Sequence, residues 1–167
     1  MPAYFDRYIS QVPDDLDLIP AIQKSILDLY QLDKDKISAL GDTVYAPGKW
    51  TIKEILLHIA DTERVFLYRA LRFARKDTTV LPGFDENLFA ENSGANDRSL
   101  ESLLEELLAV RQATLAFYKN LTNEQLLRIG NTFNTQLSVL AVGFTLVGHQ
   151  IHHFKIIEER YFPLLNT

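Results

Sequence analysis

The sequence predicts an all-α protein, a single four-helix bundle, and three observations predict it. Four segments repeat apolar residues at spacings of three and four, the period of a helix with one buried face. Almost nothing shows the period-2 alternation of a half-buried strand. No internal repeat, low-complexity tract or linker divides the 167 residues, so one domain over 1–167 is the economical expectation for a chain that is 47% hydrophobic.

The first helix is expected from about Asp14 to Leu32, with Leu16, Ile19, Ile22, Ile26, Leu29 and Tyr30 on its apolar face. Pro20 is tolerable only in its first turns, which predicts a kink or a late start. The second has the clearest start signal. Thr51 caps it, Glu54 stands in capping-box position and Trp50 is placed to staple onto Ile55, after a turn at Tyr45–Lys49. The pattern then runs without Gly or Pro to about Lys76, and His58 shares a stripe with Ile55, Thr62, Val65 and Arg69. Polar groups on a core-facing stripe need partners, which a cavity holding metal and water would supply. Phe66, Tyr68 and Phe73 are expected in the core.

A connection of about 20 residues, Lys76 to Arg98, is long for a compact domain and marks a functional loop. The third helix is expected from Ser99 to Lys119 on a leucine-rich face, with Glu105 and Glu106 in solvent. Thr122 and Gln125 open a short capped turn to Leu127. The last helix is expected from about Ser138 to Tyr161, stopped by Pro163. Gly143 and Gly148 within it each cost about 1 kcal/mol relative to Ala, a cost that close approach of a neighbouring backbone would offset.

Four histidines carry the functional signal: His58, His149, His152 and His153. His149 and His153 lie about 40° apart on one helical face, one turn above the other, so their imidazoles can converge on one ion. Val142, Leu146, Ile156 and Ile157 share their side of the wheel, whereas Lys155, Glu158 and Glu159 lie towards the other. His152 at i, i+3 is the rival to His153, but it falls towards the polar boundary and is placed at the rim or just behind the ligands. With His58 the pair forms a three-histidine set, His58, His149 and His153, leaving one coordination position open, as catalytic metals require. Glu54, Asp61 and Glu63 are candidates to accept an imidazole N–H behind the ligands. No catalytic residue beyond the ligands is assigned.

Composition excludes other classes. A net charge of -5 argues against a nucleic-acid partner, which demands clustered Lys and Arg. The absence of cysteine removes thiolate metal sites and a cysteine nucleophile, and suits a reducing compartment. No export signal opens the sequence and no stretch is apolar enough for a membrane span, so a cytoplasmic location is expected. In His149-Gln150-Ile151-His152-His153 a Gln stands where a zinc protease would need Glu, and no P-loop, nucleophile elbow or dinucleotide fingerprint is present.

The stretches Tyr45–Glu54, His58–Arg64, Tyr68–Arg75, Leu81–Asp85 and Gly148–His153 through Glu159–Tyr161 resemble the DinB/YfiT-like superfamily in order and spacing. The resemblance implies an up-down four-helix bundle whose metal, zinc or nickel in the main, is held by one histidine of the second helix and two of the last: His58, His149 and His153. It also implies a small-molecule substrate, with a low-molecular-weight thiol as cosubstrate in the bacillithiol and mycothiol enzymes, and it allows a homodimer. The expected function is a metal-dependent thiol transferase or hydrolase. The alternatives are a metal-stabilised or partner-binding bundle without enzymatic activity, and an interaction protein whose histidines are only hydrogen-bonded core residues.

Overall fold

A computed structural model describes residues 3–133 and 135–166. Its frame is four helices: α2 (Leu18–Tyr30), α4 (Ile52–Ala74), α6 (Leu100–Tyr118) and α8 (Val139–Ile156). The late start at Pro20 is real. α2 begins at Leu18 behind Asp17, which places the proline in its first turn, where its missing N–H breaks no helical bond. Both capping boxes form, Thr51 with Glu54 at α4 and Thr122 with Gln125 at the four-residue α7 (Asn123–Leu126). Ser99 and Ser138 cap α6 and α8 through their hydroxyls.

Several short elements lie outside the sequence expectation. α1 (Ala3–Ile9) packs on α8, α3 (Lys34–Leu40) precedes α4, and α5 (Glu86–Glu91) and a 3-10 turn at Ala95–Asp97 give the long connection structure of its own. A two-stranded antiparallel ribbon, β1 (Ile129–Thr132) on β2 (Thr135–Ser138), pairs Ile129 with Ser138 and Thr132 with Thr135. Backbone bonds from Leu81 N–H to the Asn131 carbonyl (3.1 Å) and from Phe133 N–H to the Leu81 carbonyl (2.8 Å) tie the connection to this ribbon. Pro163 does not end the helical path: α8 passes into a π turn (Ile157–Tyr161) and then a 3-10 turn (Phe162–Asn166) that contains it.

α2 and α4, successive in the frame, each pack chiefly on α6 and α8. Two apolar clusters fill the bundle. One gathers α1, α2, the C-terminal half of α4 and the N-terminal half of α8 around Ile22, Phe73 and Val142. The other gathers the N-terminal half of α4 with α6 and the C-terminal turns around Ile52, Leu56, Leu107 and Tyr161. Gly148 explains its presence here, because a Cβ would stand 1.8 Å from the Tyr8 carbonyl oxygen. α1 therefore lies against α8 backbone to backbone.

Tyr68 corrects an expectation. It is 51% exposed, whereas Phe66 and Phe73 on the same helix are buried, because position 68 lies about 160° from position 66 on the wheel, away from the bundle axis. Glu106 also departs from expectation: it is partly covered and paired with Arg64 (2.6 Å) and Arg98, while Glu105 is exposed.

Two buried tyrosines give the fold an alkaline limit. Tyr118 donates its hydroxyl proton to the Val139 carbonyl (2.9 Å), and burial, aided by the nearby Glu63 carboxylate, pushes its pKa well up. Tyr161 donates to the Trp50 carbonyl, and burial, with Tyr45 and Glu54 nearby, pushes its pKa up to about 12. A folded-state pKa above the unfolded value near 10 makes the protonated form a source of stability, complete below about pH 10 and lost as pH rises towards the folded value. Urea midpoints are expected to hold from pH 8 to 9.5 and to fall between pH 10 and 12, with a smaller fall in Tyr161→Phe.

Candidate metal centre

The start of α4 fixes where His58 points. Thr51 accepts from the Glu54 N–H, the Glu54 carboxylate accepts from the Thr51 N–H (2.7 Å), and Asn96 bonds both side chains from the neighbouring 3-10 turn. With the register set, His58 enters the bundle interior, its ring 4.6 Å from the Trp50 ring. Tyr161, after α8, holds the Trp50 carbonyl and so connects the two ends of the site.

On α8 the two histidines meet His58. Nε2 of His58 and Nε2 of His149 are 3.1 Å apart, as are Nε2 of His149 and Nε2 of His153. One ligand atom from each of the three lies within 4.8 Å of those of the others. His58, His149 and His153 are 9%, 5% and 8% exposed. Burial keeps the rings neutral: it lowers the His58 pKa to about 4 and holds those of His149 and His153 well below the usual value, with the neighbouring imidazoles adding to the effect. Neutral imidazole is the form that ligates metal.

Three converging Nε2 atoms are poorly served by hydrogen bonding alone. A neutral imidazole nitrogen offers either one N–H or one lone pair, so the nitrogen of His149 cannot make good bonds to both neighbours. A cation uses all three lone pairs together. Zinc–nitrogen bonds of about 2.0–2.1 Å in a tetrahedral set separate ligand nitrogens by about 3.3 Å, close to the spacing seen here. The donor set therefore fits a divalent ion.

A cavity of about 230 Å³ opens beside His58 and His149, walled by Tyr8, Phe66, Arg69 and Phe84 among others. A second, of about 220 Å³, borders His153 with Tyr45, Trp50 and Tyr161. The long connection supplies Gly83, Phe84 and Glu86 to the first, as its length suggested.

A sequence profile of the DinB superfamily matches residues 9–157. The chain belongs to the DinB superfamily. A protein of Oceanobacillus iheyensis named "Putative metal-dependent hydrolase OB0413" is 28% identical over 130 residues, 74% of each chain. The solved structure of Bacillus subtilis YfiT, described as "a probable metal-dependent hydrolase with an unusual four-helix bundle topology", superposes with a TM-score of 0.70 over 98% of this chain and 89% of that one, at 18% identity, a likeness of fold.

Within this DinB bundle His152 stays outside the cluster, half-buried, its ring 5.5 Å from that of Tyr8. None of the three carboxylates expected behind the ligands serves there. Glu54 is spent on the helix cap, Asp61 pairs with Arg64 (3.2 Å), and Glu63, about 140° round the helix from His58, turns to α6. The group found near His58 Nδ1 is instead the Thr62 hydroxyl, at 3.5 Å, and Nδ1 of His153 is buried without a partner.

Sequence reasoning missed what holds His149. Arg111 is fully buried and donates to Glu63 (2.9 Å), to the Ser25 hydroxyl (2.6 Å) and to the Leu146 carbonyl (3.3 Å), while Thr114 donates to Glu63 (2.6 Å) and Gln150 to the Ser25 carbonyl (2.8 Å). This network joins α2, α4 and α6 to α8 within one turn of His149. Its signal was present: Arg111 interrupts the leucine stripe between Leu107 and Leu115. Tyr8, whose ring stands edge-on to His149 at 5.1 Å, comes from α1, which had no signal of its own.

Proposed function

We propose that this chain is a metal-dependent hydrolase of small molecules, with a zinc or nickel ion held by His58, His149 and His153. The observation that carries the reading is the convergence of three neutral, buried Nε2 atoms, with His58 and His149 bordering a cavity of about 230 Å³. A divalent ion in an all-imidazole set with an open position supplies Lewis acidity and an activated water near neutral pH. The hydrolase name of the Oceanobacillus relative supports hydrolysis over other uses of that position. Activation of a low-molecular-weight thiol would begin in the same way, so thiol transfer belongs to the same test.

The protein's own groups perform the remaining work. His149 stands between the other two ligands, Thr62 is placed to accept the Nδ1–H of His58 and keep its Nε2 free for the ion, and the Trp50 ring covers His58. Phe5, Phe66 and Phe84 give the cavity an apolar wall for the body of a substrate.

Protein made without a histidine tag and stripped with chelator is expected to take up one equivalent of zinc or nickel, and the loaded form to turn over members of a panel of nitrophenyl esters, N-acyl amides and thiol–electrophile pairs. Uptake far below one equivalent, or turnover unchanged in His153→Ala, would refute the reading.

A further inference from the structure

Two arginines are buried in this bundle, and only one has its counter-charge. Arg111 faces Glu63 at 2.8 Å. Arg69 is 5% exposed, yet among the described residues no carboxylate pairs with it, and its one hydrogen bond runs from Nη2 to the Pro82 carbonyl at 2.7 Å. A buried cation without a partner is costly, so such an arrangement calls for an anion from elsewhere. Nε and Nη1 make no hydrogen bond among the described residues, and Arg69 lines the cavity beside His58 and His149. The guanidinium carbon lies 4.7 Å from the centre of the Phe66 ring and 5.8 Å from that of Phe84. Two aromatic faces and a carbonyl on one nitrogen hold the planar fork before any ligand arrives.

We propose that Arg69 is the recognition site for a substrate carboxylate, and that the molecules this cavity accepts carry an apolar or aromatic body ending in a single anionic group. The inference rests on the hydrolase reading only for where the reacting bond would lie. His58 and Arg69 stand on one stripe of α4, eleven residues and about 16 Å of helix apart, and the arginine side chain leans back towards the N-terminus. A molecule on the order of 10 Å long can therefore touch the guanidinium and the histidine cluster together. Phe66, Phe84 and the exposed Phe133 give such a body its apolar walls. Charge chooses the anion. Apart from the neutral histidines, Arg69 is the one basic group on the cavity wall among the described residues, and the Glu86 carboxylate on the same wall repels added negative charge, so a carboxylate is favoured over a phosphate dianion.

Ligand-observed NMR titrations of the full chain with 3-phenylpropionate, 3-phenylpropanamide and phenyl phosphate test this. They are run on chelator-treated protein, where no ion can bind a carboxylate, and repeated on zinc-loaded protein. In chelator-treated wild type the acid is expected to bind roughly tenfold more tightly than the amide, a preference that Arg69→Gln removes and Arg69→Lys retains in part. The acid–amide comparison in wild type does not depend on any variant folding. Equal binding of acid and amide, binding of neither, a preference that survives in Arg69→Gln, or tighter binding of phenyl phosphate than of the acid would overturn the proposal. Zinc uptake reads the histidines and the acid–amide ratio in chelator reads Arg69, so failure of one reading is distinguishable from failure of the other.

Discussion

Replacing His149 with alanine is expected to weaken metal affinity more than about 100-fold, because even the loss of a group behind a ligand costs 10–100-fold and this substitution removes the ligand itself. His149 is the member of the set whose Nε2 lies 3.1 Å from both of the others. Without it the remaining pair spans two helices with no nitrogen between them. The effect is read as stability as well as uptake. An ion that binds only the folded state stabilises it by about 4 kcal/mol at a free concentration 1,000 times Kd, so zinc should raise the wild-type Tm by many degrees and leave His149→Ala unmoved. A variant that still binds one equivalent of zinc, or still gains the wild-type thermal shift, would remove the histidine cluster from the mechanism.

Arg111→Met is expected to cost about 3–5 kcal/mol of folding stability, the range for breaking a buried ion pair by removing one partner. Glu63 is 1% exposed and would keep only the Thr114 hydroxyl, leaving a buried carboxylate without its cation. The pair itself need not add net stability, because withdrawing both charges from water offsets much of their attraction. Glu63→Leu combined with Arg111→Met should therefore recover a large part of the loss, giving a strong coupling in the double-mutant cycle. Urea midpoints at pH 7 decide it: additive losses would show that the two residues act separately. Because Arg111 also holds the Leu146 carbonyl, one turn before His149, the same variant should bind zinc more weakly than wild type even where it remains folded.

The frame helices were legible because their signals are local. The Thr51–Glu54 and Thr122–Gln125 boxes, Ser99, Ser138 and the late start at Pro20 involve residues within a turn of each other, and the capping geometry follows directly from them. α1 and α3, seven residues each, are too short for a 3.6-residue period to stand out and too short to be stable alone, so packing against the bundle makes them helical. The β1–β2 ribbon gave no warning for a similar reason. Its strands are four residues long, and Gly130 sits where a Cβ would collide with the Phe73 ring, a requirement of tertiary contact with no local pattern.

The histidine set divides along the same line. Helical spacing placed His149 and His153 on one inward face and left His152 at the rim, because that relation is a property of one helix. Spacing could say where on its own wheel Glu54, Asp61 or Glu63 lies, but not which partner would reach each first. The cap claimed Glu54, Arg64 claimed Asp61 and Arg111 claimed Glu63, and it is the Thr62 hydroxyl that stands 3.5 Å from the Nδ1 of His58.

By itself the sequence determined the four amphipathic helices, their starts and the identity of the inward histidines, since each depends on residues one or two turns apart. The tertiary structure decided that three imidazoles meet within 4.8 Å, that Glu63 and Arg111 neutralise one another, and that Arg69 finds no carboxylate among the described residues. Those outcomes depend on the angles and distances between helices, which are set by the packing of whole faces and not by any short stretch of chain.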